Sequence, residues 1–140
     1  MLSVDLTYVH DTVLYSMDSV NDVMIDEDGV FKYILIELCE KKRGGSGSGE
    51  QRKKLIIRGF EWAEFHADIL DRVSPKFDQL GLTYECLGGG RIRHDKQQQS
   101  IHIYGYSVGF GQADHGKAQE LVCLKYDYPE ANITWSNSGY

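Results

Sequence analysis

The residue with the clearest capacity for chemistry is His66, which follows a β-rich run ending at Gly59 and stands where a helical pattern begins. A histidine at a helix start faces unpaired backbone N–H groups and the positive end of the helix dipole. That setting attracts anions and disfavours the imidazolium, so it favours a neutral ring that can accept a proton. Taken alone, such a histidine is more often a surface or capping residue. A phosphoryl group is an anion of the kind that this setting attracts, so phosphoryl chemistry at His66 is our hypothesis.

A second candidate is the glycine-rich stretch from Tyr104 to Gly111, which reads Y-G-Y-S-V-G-F-G. Its three glycines and Ser107 stand at the end of a predicted strand, where consecutive backbone N–H groups can turn inward and form an anion site. On this stretch alone, an ordinary glycine-rich turn is the narrowly preferred interpretation.

Two other phosphate motifs are less well supported. Cys86–Arg91 reads C-L-G-G-G-R, which is one residue short of the C-x5-R loop of thiolate phosphatases, and it lies inside a predicted hairpin. Its glycines are better explained by a β-bulge or a close approach of the backbone. Gly111–Lys117 matches half of a P-loop, but Ala118 stands where a Ser or Thr should hold Mg²⁺. We therefore rank nucleotide binding below phosphoryl chemistry at His66.

The sequence predicts neither a metal site nor any other cofactor. His94, His102 and His115 have no carboxylate or cysteine at a spacing that would complete a zinc site, and polar hairpin positions explain them better. The three cysteines are widely spaced and form no C-x-x-C pair, so neither a disulfide framework nor a zinc site is indicated. Reduced thiols are expected.

Composition narrows the class of protein and its partners. With 140 residues, 41% of them hydrophobic and 26% charged, the chain is predicted to form one globular domain. The net charge of −6 argues against general nucleic-acid binding, because no basic excess is present to neutralise phosphates. The chain has no apolar run near the roughly 20 residues that span a bilayer, and its acidic N-terminus does not resemble a targeting peptide. We expect a cytoplasmic protein without a membrane partner.

Six strands are predicted to position these candidates. Residues 1–20 are predicted to be an N-terminal extension of uncertain order, and residues 41–52 a flexible Gly/Ser loop. The run from Val30 to Leu38 is almost continuously apolar, so it is expected to be a central strand that is covered on both faces. The predicted strands are 23–25, 30–38, 54–58, 83–94, 100–107 and 133–135, the fourth and fifth forming a hairpin.

Two helices are predicted between these strands. Apolar residues at helical spacing indicate a helix from Ala67 to about Leu80, with Gly81 as its C′ residue. Ser74-Pro75 is expected either to kink this helix or to start a new one. A second helix is predicted from His115 to Tyr126. The order of elements predicts one α/β (α+β) domain over residues 21–140, with a mixed six-stranded β-sheet flanked by two α-helices.

Six stretches of the chain together match the pattern of one known protein family. In chain order they are Asp28–Tyr33, Arg58–Phe60, Trp62–Ile69, Glu85–Ile92, Tyr104–Ser107 and Trp135–Tyr140. From about residue 22 to the C-terminus, the chain thus resembles the Janus family of phosphohistidine phosphatases. The resemblance implies a metal-independent phosphatase that hydrolyses the P–N bond of phosphohistidine in proteins. We expect a monomer whose partners are phosphohistidine-containing proteins.

The resemblance also implies roles for individual residues. The family's catalytic histidine falls on His66, and its phosphate-contacting lysine falls on Lys32. Arg58 and Arg91 match arginines that support the pocket. The family's backbone anion site falls on three consecutive residues, Ser107, Val108 and Gly109.

The mechanism stays open between two forms. In our main hypothesis, neutral His66 is a general base that activates water, a role typically worth about 10²–10⁴ in rate. Lys32 and the backbone amides would then stabilise the phosphoryl charge. Alternatively, His66 attacks phosphorus directly and becomes phosphorylated itself. A non-catalytic module that binds phosphoproteins would use the same pocket.

Overall fold

The structure is a computed structural model that describes residues 17–41 and 51–140. Helix α1 (His66–Gln79) follows the third strand, and α2 (His115–Lys125) follows the fifth. A single turn of 3-10 helix covers Glu130–Asn132. The strands are β1 (Val23–Ile25), β2 (Gly29–Glu40), β3 (Lys53–Phe60), β4 (Leu82–Asp95), β5 (Ser100–Tyr104) and β6 (Ile133–Trp135).

The strands form one mixed sheet in the order β1-β3-β2-β4-β5-β6. The inner strands pair antiparallel, whereas β1 runs parallel to β3 at one edge and β6 runs parallel to β5 at the other. The predicted mixed six-stranded sheet with two helices is therefore confirmed. No helix in the two described ranges is long and apolar enough to cross a membrane.

Strand β2 lies at the centre and is buried on both faces, as its apolar sequence predicts. Its side chains alternate between two cores because successive residues of a strand point to opposite faces. Tyr33 and Leu35 belong to the core under α2, and Ile34 and Ile36 belong to the core under α1. Met17 and Val20, which were predicted to lie in the N-terminal extension, pack in the core under α1 as well.

Helix α1 begins at His66, one residue before the predicted start, and Gly81 follows its end with a φ of 73°. Of the two alternatives for Ser74-Pro75, the start of a new helix is excluded, because α1 continues through Pro75. Ile69 and Phe77, on either side of the proline, are buried in the same core. This shared packing holds both halves of the helix against the sheet.

Two irregular positions shape the strands next to the site. The β2–β4 register shifts between Leu35 and Ile36, which pair with Gly88 and Cys86, so Leu87 is an extra residue in β4. This is the β-bulge expected for the glycine-rich stretch. Strand β5 ends at Tyr104 rather than at the predicted Ser107, because Gly105 has a φ of 76°, which only glycine adopts readily.

Candidate functional site

His66 is the first residue of α1 and packs against the glycine stretch of β4. The Phe65 amide donates to the Asp68 carboxylate at 2.8 Å, which fixes the start of the helix. A β-carbon added to Gly89 would lie 2.7 Å from His66 Cδ2 and 2.7 Å from the Tyr33 carbonyl oxygen. Only a glycine allows the imidazole to approach the strand this closely. The predicted close approach of the backbone is confirmed.

A hydrogen bond to β4 determines which nitrogen of His66 carries the proton. His66 Nε2 lies 2.9 Å from the Gly90 carbonyl oxygen, which can only accept a hydrogen bond. Nε2 is therefore the protonated nitrogen, and Nδ1 of the neutral ring has a free lone pair. That lone pair can accept a proton or attack an electrophile.

The surroundings of His66 keep its ring neutral. Burial lowers the pKa of His66, and the positive charges of Lys32 and Arg91 lower it further. The hydrogen bond to the Gly90 carbonyl raises the pKa but does not outweigh the other effects. The neutral form is thus favoured at physiological pH, which a general base or a nucleophile requires.

The buried His66 ring borders a cleft of about 680 Å³. Lys32 on β2 is paired in register with Arg91 on β4, and both residues line the cleft. Two cations beside one neutral histidine give the cleft a positive potential that suits a phosphoryl group. The remaining lining residues are Glu64, Phe65, Ala67, Tyr106, Ser107, Val108, Gly109, Phe110 and Tyr140.

A tight turn from Ser107 to Gly111 forms the wall of the cleft. The amide and carbonyl of Ser107 bond to Gly111, at 3.1 and 2.8 Å, and the Phe110 amide donates to Ser107 Oγ at 3.1 Å. Within the described part of the chain, the amides of Val108 and Gly109 donate to no protein acceptor. These two amides, with the Ser107 hydroxyl, are available to an anion in the cleft.

Arg58 lies apart from the other predicted site residues. Its guanidinium is buried and donates to the carbonyl oxygens of Ile57 and Asn21, at 2.8 and 2.9 Å. Burial lowers its pKa to about 10. Arg58 borders a separate cavity of about 330 Å³ beside Val73 and Phe77 of α1. The cleft thus brings His66, Lys32, Arg91 and the turn together, but not Arg58.

The three other histidines that the structure describes bond to protein atoms. His115 Nδ1 lies 2.5 Å from the Tyr33 hydroxyl, and its Nε2 lies 2.8 Å from the Gly105 carbonyl oxygen. His94 contacts the Asp26 carbonyl and the Tyr128 hydroxyl, and His102 contacts the Thr134 hydroxyl. Among residues 17–41 and 51–140, no three potential metal ligands lie close together.

The P-loop-like stretch does not present an open phosphate site. Asp114 caps α2, and its carboxylate accepts a hydrogen bond from the Lys117 amide at 3.1 Å. A negative side chain therefore occupies the helix N-terminus, where a P-loop would hold phosphate. This arrangement argues against nucleotide binding.

Tyr140 is a cleft residue whose position no local pattern predicts. Its ring lies 5.1 Å from the Arg91 guanidinium carbon, within the range of a cation–π contact, and 5.3 Å from the Tyr106 ring. In the sequence, Tyr140 was marked only by the resemblance of the stretch Trp135–Tyr140 to the family. Nothing in that stretch indicates that it returns to the cleft after β6.

The model of the Janus/Ocnus family (Ocnus) matches residues 17–132. The chain belongs to the Janus/Ocnus family. The predicted resemblance is thereby confirmed, and the match begins at Met17, the first buried residue that the structure describes in this Janus/Ocnus protein.

Several relatives of this Janus/Ocnus protein have names that state an activity. It is 48% identical over 119 residues to proteins named 14 kDa phosphohistidine phosphatase from Sus scrofa and Homo sapiens. These alignments cover 85% of the chain and 91% and 92% of the two relatives. The chain is also 39% identical over 140 residues to the sex-regulated protein janus-A of Drosophila melanogaster, of which it covers 96%.

Proposed function

We propose that this protein is a phosphohistidine phosphatase that hydrolyses the P–N bond with His66 as its general base and without a metal ion. The observation that carries the proposal is the 2.9 Å hydrogen bond from His66 Nε2 to the Gly90 carbonyl, which leaves Nδ1 as a proton acceptor beside a cationic cleft. The relatives named 14 kDa phosphohistidine phosphatase support the choice of substrate.

The P–N bond of phosphohistidine makes modest demands on a catalyst. The bond is weak once the leaving imidazole is protonated, so the enzyme mainly has to position water and take up a proton. In the proposed step, the water oxygen bonds to phosphorus, His66 Nδ1 receives the water proton, and the P–N bond breaks. The substrate imidazole, which carries a proton on its other ring nitrogen, takes the electron pair of the broken bond and departs as neutral imidazole. Inorganic phosphate is formed, and His66 returns its proton to solvent.

Lys32, Arg91 and the turn would stabilise the negative charge of the phosphoryl oxygens. Preorganised donors of this kind stabilise a transition state strongly because they need no reorganisation during the reaction. We assign the phosphoryl oxygens to Lys32, to the amides of Val108 and Gly109, and to the Ser107 hydroxyl. Arg91 lies next to Lys32 in register and adds a second positive charge. Arg58 supports the fold from its separate cavity.

The proposal predicts turnover that does not depend on a metal ion. The purified protein is expected to release phosphate from a phosphohistidine peptide at the same kcat with and without an excess of EDTA. Loss of activity in EDTA that Mg²⁺ restores would contradict the metal-free mechanism. Binding of the peptide without any turnover would instead identify a phosphoprotein-binding module.

The acidic limb of the pH profile of kcat/KM is expected to report the protonation of His66. Since only the neutral ring accepts a proton, kcat/KM should fall as pH drops through the lowered pKa of His66. The charge of Lys32 contributes to that lowering, so Lys32→Met should raise the pKa and move the acidic limb to higher pH. Lys96→Met, a substitution at an exposed residue outside the cleft, is the matched control. An unmoved limb in Lys32→Met would contradict the assignment.

A labelling experiment separates the general base from direct attack. With His66 as base, one turnover in ¹⁸O-labelled water should place ¹⁸O in phosphate without any phosphorylated protein. A ³²P-labelled enzyme trapped at His66 during turnover would show that His66 is the nucleophile instead.

We also propose that the protein acts as a cytoplasmic monomer. All of the residues assigned to the cleft come from one chain, so the proposed reaction needs no second copy. The three cysteines, Cys39, Cys86 and Cys123, are unpaired, as is usual for proteins of reducing compartments.

A further inference from the structure

The cleft around His66 is larger and more apolar than a phosphoryl group requires. Its volume of about 680 Å³ is typical of sites that enclose a whole small organic ligand, which fill about 300–1,000 Å³. The described residues include ten exposed large hydrophobic side chains, and four of them line this one cleft. These four are Phe65, Tyr106, Val108 and Tyr140. Exposed apolar side chains that cluster in this way mark a contact surface.

Three of these residues form what we call the apolar rim: Phe65, Val108 and Tyr140, which are 62%, 85% and 65% exposed. Phe65 directly precedes His66 in the chain, and Val108 directly follows Ser107. Tyr140 lies against the guanidinium of Arg91. Each rim residue thus adjoins a residue to which we assign a part in the reaction, so a chain attached to the phosphoryl group can contact the rim.

We propose that the apolar rim binds a large apolar side chain next to phosphohistidine in the substrate, and so selects among phosphohistidine-containing protein segments. This inference rests on the proposed function, because the phosphoryl group fixes where the rest of the substrate lies. The apolar side chain that binds the rim and the phosphoryl group that binds beside the cations belong to the same substrate chain. An apolar neighbour would cover side chains that are otherwise exposed to water, which is favourable.

The rim also disfavours an acidic neighbour of phosphohistidine, because a carboxylate that lies against apolar side chains loses hydration without gaining a partner. Glu64 lines the same cleft but is exposed, and the cations Lys32 and Arg91 line it as well, so charge alone does not select against acidic segments.

The inference can be tested with three phosphohistidine peptides that differ only in the two residues flanking the phosphorylated one. The flanking residues are Leu, Ser or Glu, and phosphoramidate serves as a small substrate that cannot reach the rim. For wild type, kcat/KM should be about tenfold higher for the Leu peptide than for the Ser peptide, in line with the discrimination of apolar pockets. The Glu peptide should be the poorest substrate.

Substitutions of Phe65 test the role of the rim directly. Phe65→Ser should remove most of the preference for Leu over Ser and keep the turnover of phosphoramidate, because Phe65 has no assigned part in the chemistry. Serine is a favoured residue at the N-cap that Phe65 occupies, so the fold should be retained. Phe65→Leu should keep the preference. The matched control is Leu124→Ser, at an 83% exposed position on α2, which should leave all four rates unchanged.

The outcomes separate this inference from the proposed function. Equal kcat/KM for the three peptides, together with rapid turnover of phosphoramidate, would overturn the role of the rim and leave the phosphatase intact. A preference for Leu that persists in Phe65→Ser would also overturn it. If neither phosphoramidate nor any peptide is hydrolysed, the proposed function fails and the inference fails with it.

Discussion

Replacing His66 with alanine is expected to lower kcat for a phosphohistidine peptide by about 10²–10⁴-fold, the usual contribution of a general base. Peptide affinity should change little, because the cations and amides that we assign to the phosphoryl group remain. His66→Gln should be as inactive, since an amide can donate to the Gly90 carbonyl but cannot take up the proton. Single-turnover rates and peptide binding, measured separately, check both expectations.

The control for this result is His102→Ala. His102 lies outside the cleft and contacts Thr134, so its loss should leave kcat unchanged. A His66→Ala variant that turns over phosphohistidine at the wild-type rate would refute the proposed mechanism. A loss of peptide affinity with kcat unchanged would indicate that His66 contributes mainly to binding.

Substituting Gly89 with alanine is expected to reduce both activity and stability. The new β-carbon would lie 2.7 Å from His66 Cδ2 and 2.7 Å from the Tyr33 carbonyl, so both must shift. Overpacking of this kind costs about 1–3 kcal/mol of the free energy of unfolding. A catalytic group displaced by about 1 Å can lower the rate by about 10²-fold.

Gly89 also connects His66 to the turn that we assign to the phosphoryl group. Its amide donates to the Gly111 carbonyl, and its carbonyl accepts from the Ala113 amide, both at 3.0 Å. The substitution therefore disturbs the proposed base and the proposed anion donors together. Urea unfolding and kcat at a temperature where the variant is fully folded measure the two effects separately.

Gly116→Ala is the matched control for this glycine. A β-carbon there would meet its nearest neighbour at 3.4 Å, and the residue lies in helix α2. The change should leave kcat unaltered and stabilise the fold by about 0.4–1 kcal/mol. Wild-type kcat in Gly89→Ala would show that the close packing of His66 against β4 is not needed for activity.

Periodicity and composition were sufficient to predict the architecture. The apolar run of β2 indicated a strand buried on both faces, and the spacing of residues such as Ile69 and Phe77 indicated α1. The boundaries were less accurate where tertiary packing decides them. The strand predicted to reach Ser107 ends at Tyr104 because Gly105 turns the chain, and packing on the sheet carries α1 through Pro75.

The candidate site could be predicted only in part. The place of His66 at a helix start made it a candidate, but its assignment, like those of Lys32 and Arg91, depended on the family resemblance. Local sequence cannot reveal that Arg58 bonds to the Asn21 carbonyl, a contact across 37 positions of the chain. The approach of Tyr140 to Arg91 is also long-range in sequence.

The additional residue in β4 decides what the cleft contains. Ahead of Leu87, the even-numbered residues of β4 face α1, as Tyr84 and Cys86 do, whereas beyond it Ile92 belongs to the opposite core. The bulge at Leu87 therefore reverses which residues of β4, odd-numbered or even-numbered, face α1. For that reason Arg91 lies on the same side of the sheet as Lys32 and His66. If the same sequence paired regularly, without the bulge at Leu87, Ile92 would take the place of the Arg91 guanidinium, and half of the positive charge beside the imidazole would be lost to the far side of the sheet.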